Sequence, residues 1–200
     1  MDVYTTEEQQ VEAIKKWWRD NGKAVVIGAV VGLGVLYGWR YYQAHVTESK
    51  EQASQQYVQA LSGLDKGETA ALENVVKSED HEGYRALAAM RLAKKLVEQG
   101  ELAQASEQLR QASAWVKDDA IHGLIATRLA RIEAELGNYD TAVTELDSVK
   151  APSWHAKVEE IRGDIMLLKG DKDAARSAYA ASLAAAENPT VNMKLNNLSQ

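Results

Sequence analysis

The sequence predicts an all-α protein in which a transmembrane helix precedes an α-solenoid of helical hairpins. Three observations predict this fold: good helix formers dominate after residue 43, β-branched residues are sparse outside one apolar stretch, and glycines recur at nearly regular intervals. The 200 residues include only two prolines and no cysteine, so helix breakers are rare and disulfides are excluded. That length suits one ordinary domain with an appendage.

The apolar stretch runs from Ala24 to Trp39 without a charged side chain. Sixteen residues make about 24 Å of helix at ~1.5 Å per residue, which is short for a hydrocarbon core of ~30 Å. Lys23 and Arg40 can extend their charges outward from the two ends, and tryptophans and tyrosines flank both ends as they do at membrane interfaces. The stretch therefore predicts a transmembrane helix over residues 24–39.

Two alternatives to an anchor remain, a cleaved signal peptide and a buried helix of a water-soluble protein. A signal peptide would need a polar leader of 23 residues, and Tyr42 spoils cleavage after Ala44, where small residues are required. A buried helix has no reason to be bracketed by cations and aromatic residues. A permanent anchor is the favoured interpretation.

Basic residues near the ends of the span predict its orientation. More of them precede the span than follow it, which places the N-terminus in the cytoplasm and exports the C-terminal domain. Those before it are Lys15, Lys16, Arg19 and Lys23, and those after it are Arg40 and Lys50. We expect residues 1–23 to form an amphipathic leader on the membrane surface, residues 40–51 a stalk, and residues 52–200 the exported domain.

Two pairs of glycines within the span have the spacing of helix-contact motifs. Gly28 and Gly32 lie one turn apart, as do Gly34 and Gly38, and such pairs let a second membrane helix approach closely. We predict that they contact a partner helix. The alternative is that they are ordinary glycines of a membrane helix.

The charge distribution argues against nucleic-acid binding. The net charge is −6, and the first 40 residues hold five basic and five acidic side chains, so the remaining residues carry the whole −6. Phosphate backbones would be repelled by such a domain. No catalytic or phosphate-binding motif occurs, and the four histidines lack metal-ligand spacing, so we expect no enzyme, no metal and no cofactor.

Repeats organise the exported domain. Gly67, Gly100, Gly137 and Gly170 recur at intervals of 33, 37 and 33 residues, and at each of the last three an apolar helix ends. Small residues stand seven positions before and five positions after these three glycines, where we expect the two helices of each hairpin to touch. These small residues are Ala93, Ala130 and Gly163 before the glycines, and Ala105, Ala142 and Ala175 after them.

This pattern resembles the tetratricopeptide repeat, with three copies over roughly residues 86–188 and a degenerate unit over residues 52–80. The aromatic residue expected early in the first helix of each copy is missing. In tetratricopeptide repeats the first helices line a concave face, so the resemblance implies a candidate groove for a client or partner. Its predicted residues are Leu87, Met90, Lys94, Val97, Leu124, Thr127 and Arg131. The alternative is that Leu87, Met90 and Leu124 are core residues.

The whole chain resembles the YfgM-type ancillary subunits of the SecYEG translocon. The resemblance is carried by the order and spacing of "QVEAIKKWWRDNGKAVVIGAVVGLGVLYGWRYYQAH", "LAAMRLAKKLVEQGELAQASEQL", "RGDIMLLKGDKDAARSAY" and "MKLNNLSQ". It implies a single-pass protein of the bacterial inner membrane with a periplasmic domain. It also implies partnership with SecYEG and with the membrane-anchored periplasmic chaperone PpiD, and transfer of unfolded exported proteins to periplasmic chaperones.

Three classes of function therefore stay open at this point. The first is a translocon-associated chaperone or adaptor, which the resemblance favours. The second is a scaffold of another envelope complex or a stress-response regulator. The third is an enzyme whose site the sequence does not reveal, because a repeat fold alone does not determine function.

Overall fold

The computed structural model of the chain describes residues 7–64, 68–78 and 80–198, and within them it contains helices and no strand. The all-α prediction is confirmed. The helices are α1 (Glu7–Leu64), α2 (Ala70–Ser78), α3 (Glu82–Glu98), α4 (Leu102–Trp115), α5 (Asp119–Glu135), α6 (Tyr139–Asp147), a 3₁₀ helix (Pro152–Trp154), α7 (His155–Leu168), α8 (Lys172–Ala185) and α9 (Pro189–Asn197). Gly67, the first glycine of the predicted series, lies outside the described residues.

The chain divides into two compact units, Met1–Gln52 and Ala53–Gln200. In the first unit, α1 is continuous through Lys23 and Arg40, so the described part of the predicted leader, residues 7–23, forms one helix with the predicted span and stalk. Among the described residues, α1 alone is long and apolar enough to cross a membrane. The apolar side chains of residues 24–39 are exposed, whereas those of a core helix in a water-soluble protein would be buried. The chain therefore has one candidate transmembrane helix near its N-terminus.

The second unit is built from helical hairpins. Helices α3 and α4, α5 and α6, and α7 and α8 pack as pairs, while α2 packs on α3 and α9 packs on α8. Three groups of buried apolar side chains follow this order along the unit. Each hairpin buries its apolar face against its neighbours, as repeat proteins do.

Glycine closes the first helix of three hairpins. Gly100 has a φ of 81°, a left-handed conformation that glycine adopts without the steric cost of a side chain. The Glu101 amide donates to the Leu96 carbonyl at 2.8 Å, and the Gly100 amide donates to the Val97 carbonyl at 3.0 Å. This pair of hydrogen bonds is the Schellman motif. The same geometry recurs at Gly137 and Gly170.

Small residues occupy the helix crossings. Ala105, Ala142 and Ala175 are fully buried, and nine residues after the three glycines stand large buried side chains that fill the space between helices. These are Leu109, Leu146 and Tyr179. The 37-residue interval between Gly100 and Gly137 has two causes: α4 and α5 together are eight residues longer than α6 and α7, and the connection between α4 and α5 is four residues shorter than that between α6 and α7.

Candidate functional site

A groove lies between the first helices of two consecutive hairpins, α3 and α5. Its volume is about 600 Å³, and it is open to solvent. Tyr57 from the last turns of α1 and Leu109 from α4 complete its lining. The other lining residues are Leu87, Met90, Arg91, Ala93, Lys94 and Val97 on α3, and Leu124, Arg128, Arg131 and Ile132 on α5. We call this surface the α3–α5 groove.

The floor of the groove is apolar, and part of that apolar surface is exposed. Met90 and Ile132 are buried in the floor, at 7% and 8% exposure. Leu87 and Val97 are 39% and 41% exposed, so their side chains face the open space. An exposed apolar strip inside a concavity is typical of a surface that binds another chain.

Four cations line the rim of this apolar strip. Arg91 and Lys94 are exposed on α3, and Arg128 and Arg131 are exposed on α5. Lys94 Nζ lies 3.8 Å from Oε1 of Glu98, one turn along the same helix. Over the described ranges, the side chains of the three arginines form no hydrogen bond or ion pair. The groove is therefore locally positive within an acidic domain.

A buried carboxylate fixes the α5 wall of the groove against α4. Glu133 on α5 is 3% exposed, and its Oε1 accepts hydrogen bonds from the Ser106 hydroxyl and, at 2.8 Å, from Arg110 Nη2. Its Oε2 accepts from Asn138 Nδ2 at 2.8 Å. A buried charge needs such partners, because without them it would be desolvated and unpaired. The network therefore holds α5 and α4 in one relative position.

A family model described as a tetratricopeptide repeat-like domain matches residues 15–200. A protein of Escherichia coli (strain K12) named "Ancillary SecYEG translocon subunit" is 38% identical over 100% of both chains. A protein of the same name from Aggregatibacter actinomycetemcomitans is 36% identical over 98% of this chain and 100% of its own. Another, from Haemophilus influenzae, is 33% identical over 96% of this chain and 97% of its own. The chain belongs to the family of ancillary SecYEG translocon subunits. The expected family is confirmed, since these similarities extend over nearly the full length of each chain.

In this family member, the structure brings together six of the seven residues predicted for the groove. Leu87, Met90, Lys94, Val97, Leu124 and Arg131 all line it. Thr127 does not line it: its side chain is buried, and its hydroxyl donates to the Gly123 carbonyl at 2.8 Å and to the Leu124 carbonyl at 3.1 Å. Met90 lines the groove and is also part of the buried core, so both of the alternatives given for it from the sequence apply.

Sequence reasoning missed Arg91 and Arg128. Each stands nine residues before a helix-closing glycine, one position beyond Met90 and Thr127 respectively. The repetition of arginine at the same distance from Gly100 and Gly137 was a signal that could have identified both residues. One turn of helix brings residues three and four positions apart onto one face, so Arg91 joins Leu87 and Lys94 there.

A second polar cluster ties α9 to α7 and α8. Lys194 on α9 donates to Asp164 at 2.7 Å and to Glu160 at 3.1 Å, and the Tyr179 hydroxyl donates to Asp164 at 2.7 Å. Burial opposes the charge on Glu160, but hydrogen bonds from Lys157 and Lys194 lower the pKa of its carboxyl below the usual value. Burial and the bond to Asp164 raise the pKa of the Tyr179 phenol. This cluster stabilises the C-terminal end of the repeat array.

The predicted helix-contact glycines and the histidine and acidic residues form no second candidate site in the described ranges. Apart from its chain neighbours and the nearby backbone of α1 itself, a Cβ atom added at Gly28, Gly32, Gly34 or Gly38 would meet no described atom within 4 Å. No group of three histidine or acidic side chains in the described ranges is placed to hold a metal ion. Exposed apolar and charged side chains from two hairpins converge in the α3–α5 groove, and we take it as the candidate site.

Proposed function

We propose that the chain is a membrane-anchored adaptor and chaperone of the SecYEG translocon. Three relatives that match the chain over nearly their full length are named ancillary SecYEG translocon subunits, and this similarity is the observation that carries the proposal. The candidate transmembrane helix supports a position beside a membrane translocon. The α3–α5 groove supports a role in holding polypeptide segments.

We propose an N-terminus in the cytoplasm and a second unit in the periplasm. Four basic residues precede the span and two follow it, which supports this orientation. Residues 24–39 are then the transmembrane helix of a single-pass inner-membrane protein. Residues 40–51 continue as a stalk, and residues 52–200 form the periplasmic domain.

We propose that the groove receives apolar segments of newly exported, unfolded proteins. Unfolded chains expose apolar side chains, and the exposed strip of Leu87 and Val97 would remove them from water. Each 100 Å² of apolar surface covered would contribute about 2 to 3 kcal/mol before the costs of ordering the bound segment. Such binding is weak and reversible, as transfer to further periplasmic chaperones, including the partner chaperone PpiD, requires.

The experiment removes the exposed apolar strip without adding charge. The full chain in lipid nanodiscs carries Leu87→Ser together with Val97→Ser, and suppression of the aggregation of a denatured exported protein is measured. Loss of suppression with unchanged circular dichroism and melting temperature is expected. The control is Leu168→Ser with Met193→Ser, which changes two apolar residues outside the groove that are more exposed than Leu87 and Val97, and it should leave suppression intact.

Two outcomes would contradict the proposal. Equal loss of suppression in both variants would assign the effect to general surface hydrophobicity. Copurification of the full chain after gentle detergent extraction with another envelope complex, and not with SecYEG, would favour the alternative of a scaffold for that complex.

A further inference from the structure

The two walls of the α3–α5 groove present the same side chains at the same positions of the repeat. Leu87 and Leu124, Arg91 and Arg128, and Lys94 and Arg131 are each separated by the 37 residues that separate Gly100 from Gly137. Both walls therefore carry one leucine followed by two cations at helical spacing. A segment lying in the groove would meet apolar surface at its centre and positive charge on both sides.

The third hairpin does not repeat this arrangement. The corresponding residues, 33 positions after those of α5, are Lys157, Ile161 and Asp164. Ile161 is buried in the core, and Asp164 is paired with Lys194. The two pairs of cations are thus confined to the groove.

The arginines of the second unit that line the groove differ from the others in having no partner in the described ranges. Four of the seven have partners: Arg110, Arg162 and Arg176 pair with carboxylates, and Arg85 donates to the Val76 carbonyl and lies 4.0 Å from the centre of the Trp115 ring. The remaining three, Arg91, Arg128 and Arg131, line the groove and have no partner within the part of the chain that the structure describes. The second unit has 22 acidic and 17 basic residues, so carboxylates are plentiful, yet none of those in the described ranges forms an ion pair with these guanidinium groups.

We infer, on the basis of the proposed client-binding role, that the groove selects polypeptide segments in which acidic side chains flank apolar ones. Guanidinium groups bind carboxylates through two parallel hydrogen bonds, and unpartnered arginines on both walls can do so from either side. Leu87, Val97 and Leu124 receive the apolar side chains between the carboxylates. Lys94 and Arg131 extend the positive field along the groove and accelerate encounter with acidic segments.

The test compares short synthetic peptides that differ only in charge. One fluorescent peptide alternates leucine and glutamate, a second has glutamine in place of glutamate, and a third has lysine. Binding to the full chain in nanodiscs of uncharged lipid is followed by fluorescence anisotropy. We expect the glutamate peptide to bind more tightly than the glutamine peptide, to lose affinity as salt is added, and the lysine peptide to bind least.

Variants assign this preference to the arginines. Arg91→Ala with Arg128→Ala should raise the Kd for the glutamate peptide by about 3- to 20-fold, as expected for two exposed ion pairs, and leave the Kd for the glutamine peptide unchanged. The control is Lys150→Ala with Lys172→Ala, which removes two exposed cations that do not line the groove and should change neither Kd.

The outcomes separate this inference from the proposed function. Equal affinity for the glutamate and glutamine peptides would overturn the charge preference but leave an apolar client groove. Absence of binding by every peptide would overturn both. Equal losses in the arginine variant and the lysine control would assign the preference to the surface in general. Displacement of the glutamate peptide by phosphatidylglycerol vesicles, and not by uncharged ones, would assign the arginines to lipid and overturn the inference.

Discussion

Gly163 on α7 is the position where one added methyl group should most clearly reveal how the repeats pack. A Cβ atom built there would lie 2.4 Å from Cε1 and 2.5 Å from Cδ1 of Tyr179. The ring of Tyr179 is 1% exposed, and its hydroxyl is held by Asp164 at 2.7 Å. Because Lys194 in turn holds Asp164, the ring has little freedom to move away.

Two effects of Gly163→Ala oppose each other. Alanine in place of glycine stabilises a helix interior by about 0.5 to 1 kcal/mol. Overpacking a close contact costs about 1 to 3 kcal/mol, and a contact near 2.4 Å against an anchored ring belongs at the upper end of that range. The net loss should be about 1 to 2 kcal/mol, which lowers the melting temperature of a domain of this size by about 2 to 8 °C.

Thermal unfolding of the full chain in mild detergent, followed by circular dichroism, measures this effect. Gly83→Ala is the control, because a Cβ atom at this helical glycine of α3 would meet no atom within 4 Å apart from its chain neighbours and the nearby backbone of α3, so the substitution should stabilise slightly. In a protein that already carries Tyr179→Leu, Gly163→Ala should destabilise much less. The coupling energy between the two substitutions should be about 1 to 2 kcal/mol. Equal melting temperatures for the two alanine variants, or no coupling, would refute the reasoning.

Three further predictions concern the crossings, the C-terminal cluster and the span. Ala142→Leu should destabilise the protein by about 1 to 3 kcal/mol and exposed Thr141→Leu should not, and equal melting temperatures would contradict the repeat register. Glu160→Gln should lower the free energy of unfolding near neutral pH, and this loss should shrink as the pH falls through the lowered pKa of the Glu160 carboxyl in the folded protein. A loss that stays constant with pH in denaturant titrations would argue against the pairing of Glu160 with Lys157 and Lys194. Gly28→Leu with Gly32→Leu should weaken copurification with SecYEG or PpiD, and undiminished copurification would leave them as ordinary membrane glycines.

The sequence was sufficient for the fold because local chemistry determines where these helices end. Gly100, Gly137 and Gly170 were predicted as helix ends, and they have the positive φ that only glycine adopts readily. Spacing from these glycines also placed the small residues at buried crossings, including Ala105 and Ala142. Both features depend on residues close together in the chain.

The exact face of the groove was harder to predict, because an α-helix turns about 100° per residue. An error of one position therefore replaced Arg128, which lines the groove, with Thr127, which lies in the core. On α3, Met90 was predicted correctly, but its neighbour Arg91, which also lines the groove, was omitted. A repeat register taken from small residues specifies which face packs inward, but the boundary between core and groove depends on the neighbouring hairpin.

Hydrogen bonds and ion pairs between distant polar side chains could not be predicted. Ser106 and Glu133 are 27 residues apart, and Lys194 and Glu160 are 34 apart. Their polar side chains look like ordinary surface residues of amphipathic helices until the hairpins are stacked. The side-chain oxygen of Gln108 is also buried, although its polar side chain suggests a surface position.

Site-specific photo-crosslinking in living cells tests most directly whether the groove holds chains that emerge from the translocon. A photoreactive amino acid replaces Val97 in the groove or, as the control, Leu168 outside it, while an exported protein is stalled in SecYEG. We predict crosslinks to the stalled chain from position 97 and not from position 168, in complexes that copurify with SecYEG. Crosslinks of equal yield from both positions, or none from position 97, would contradict the account.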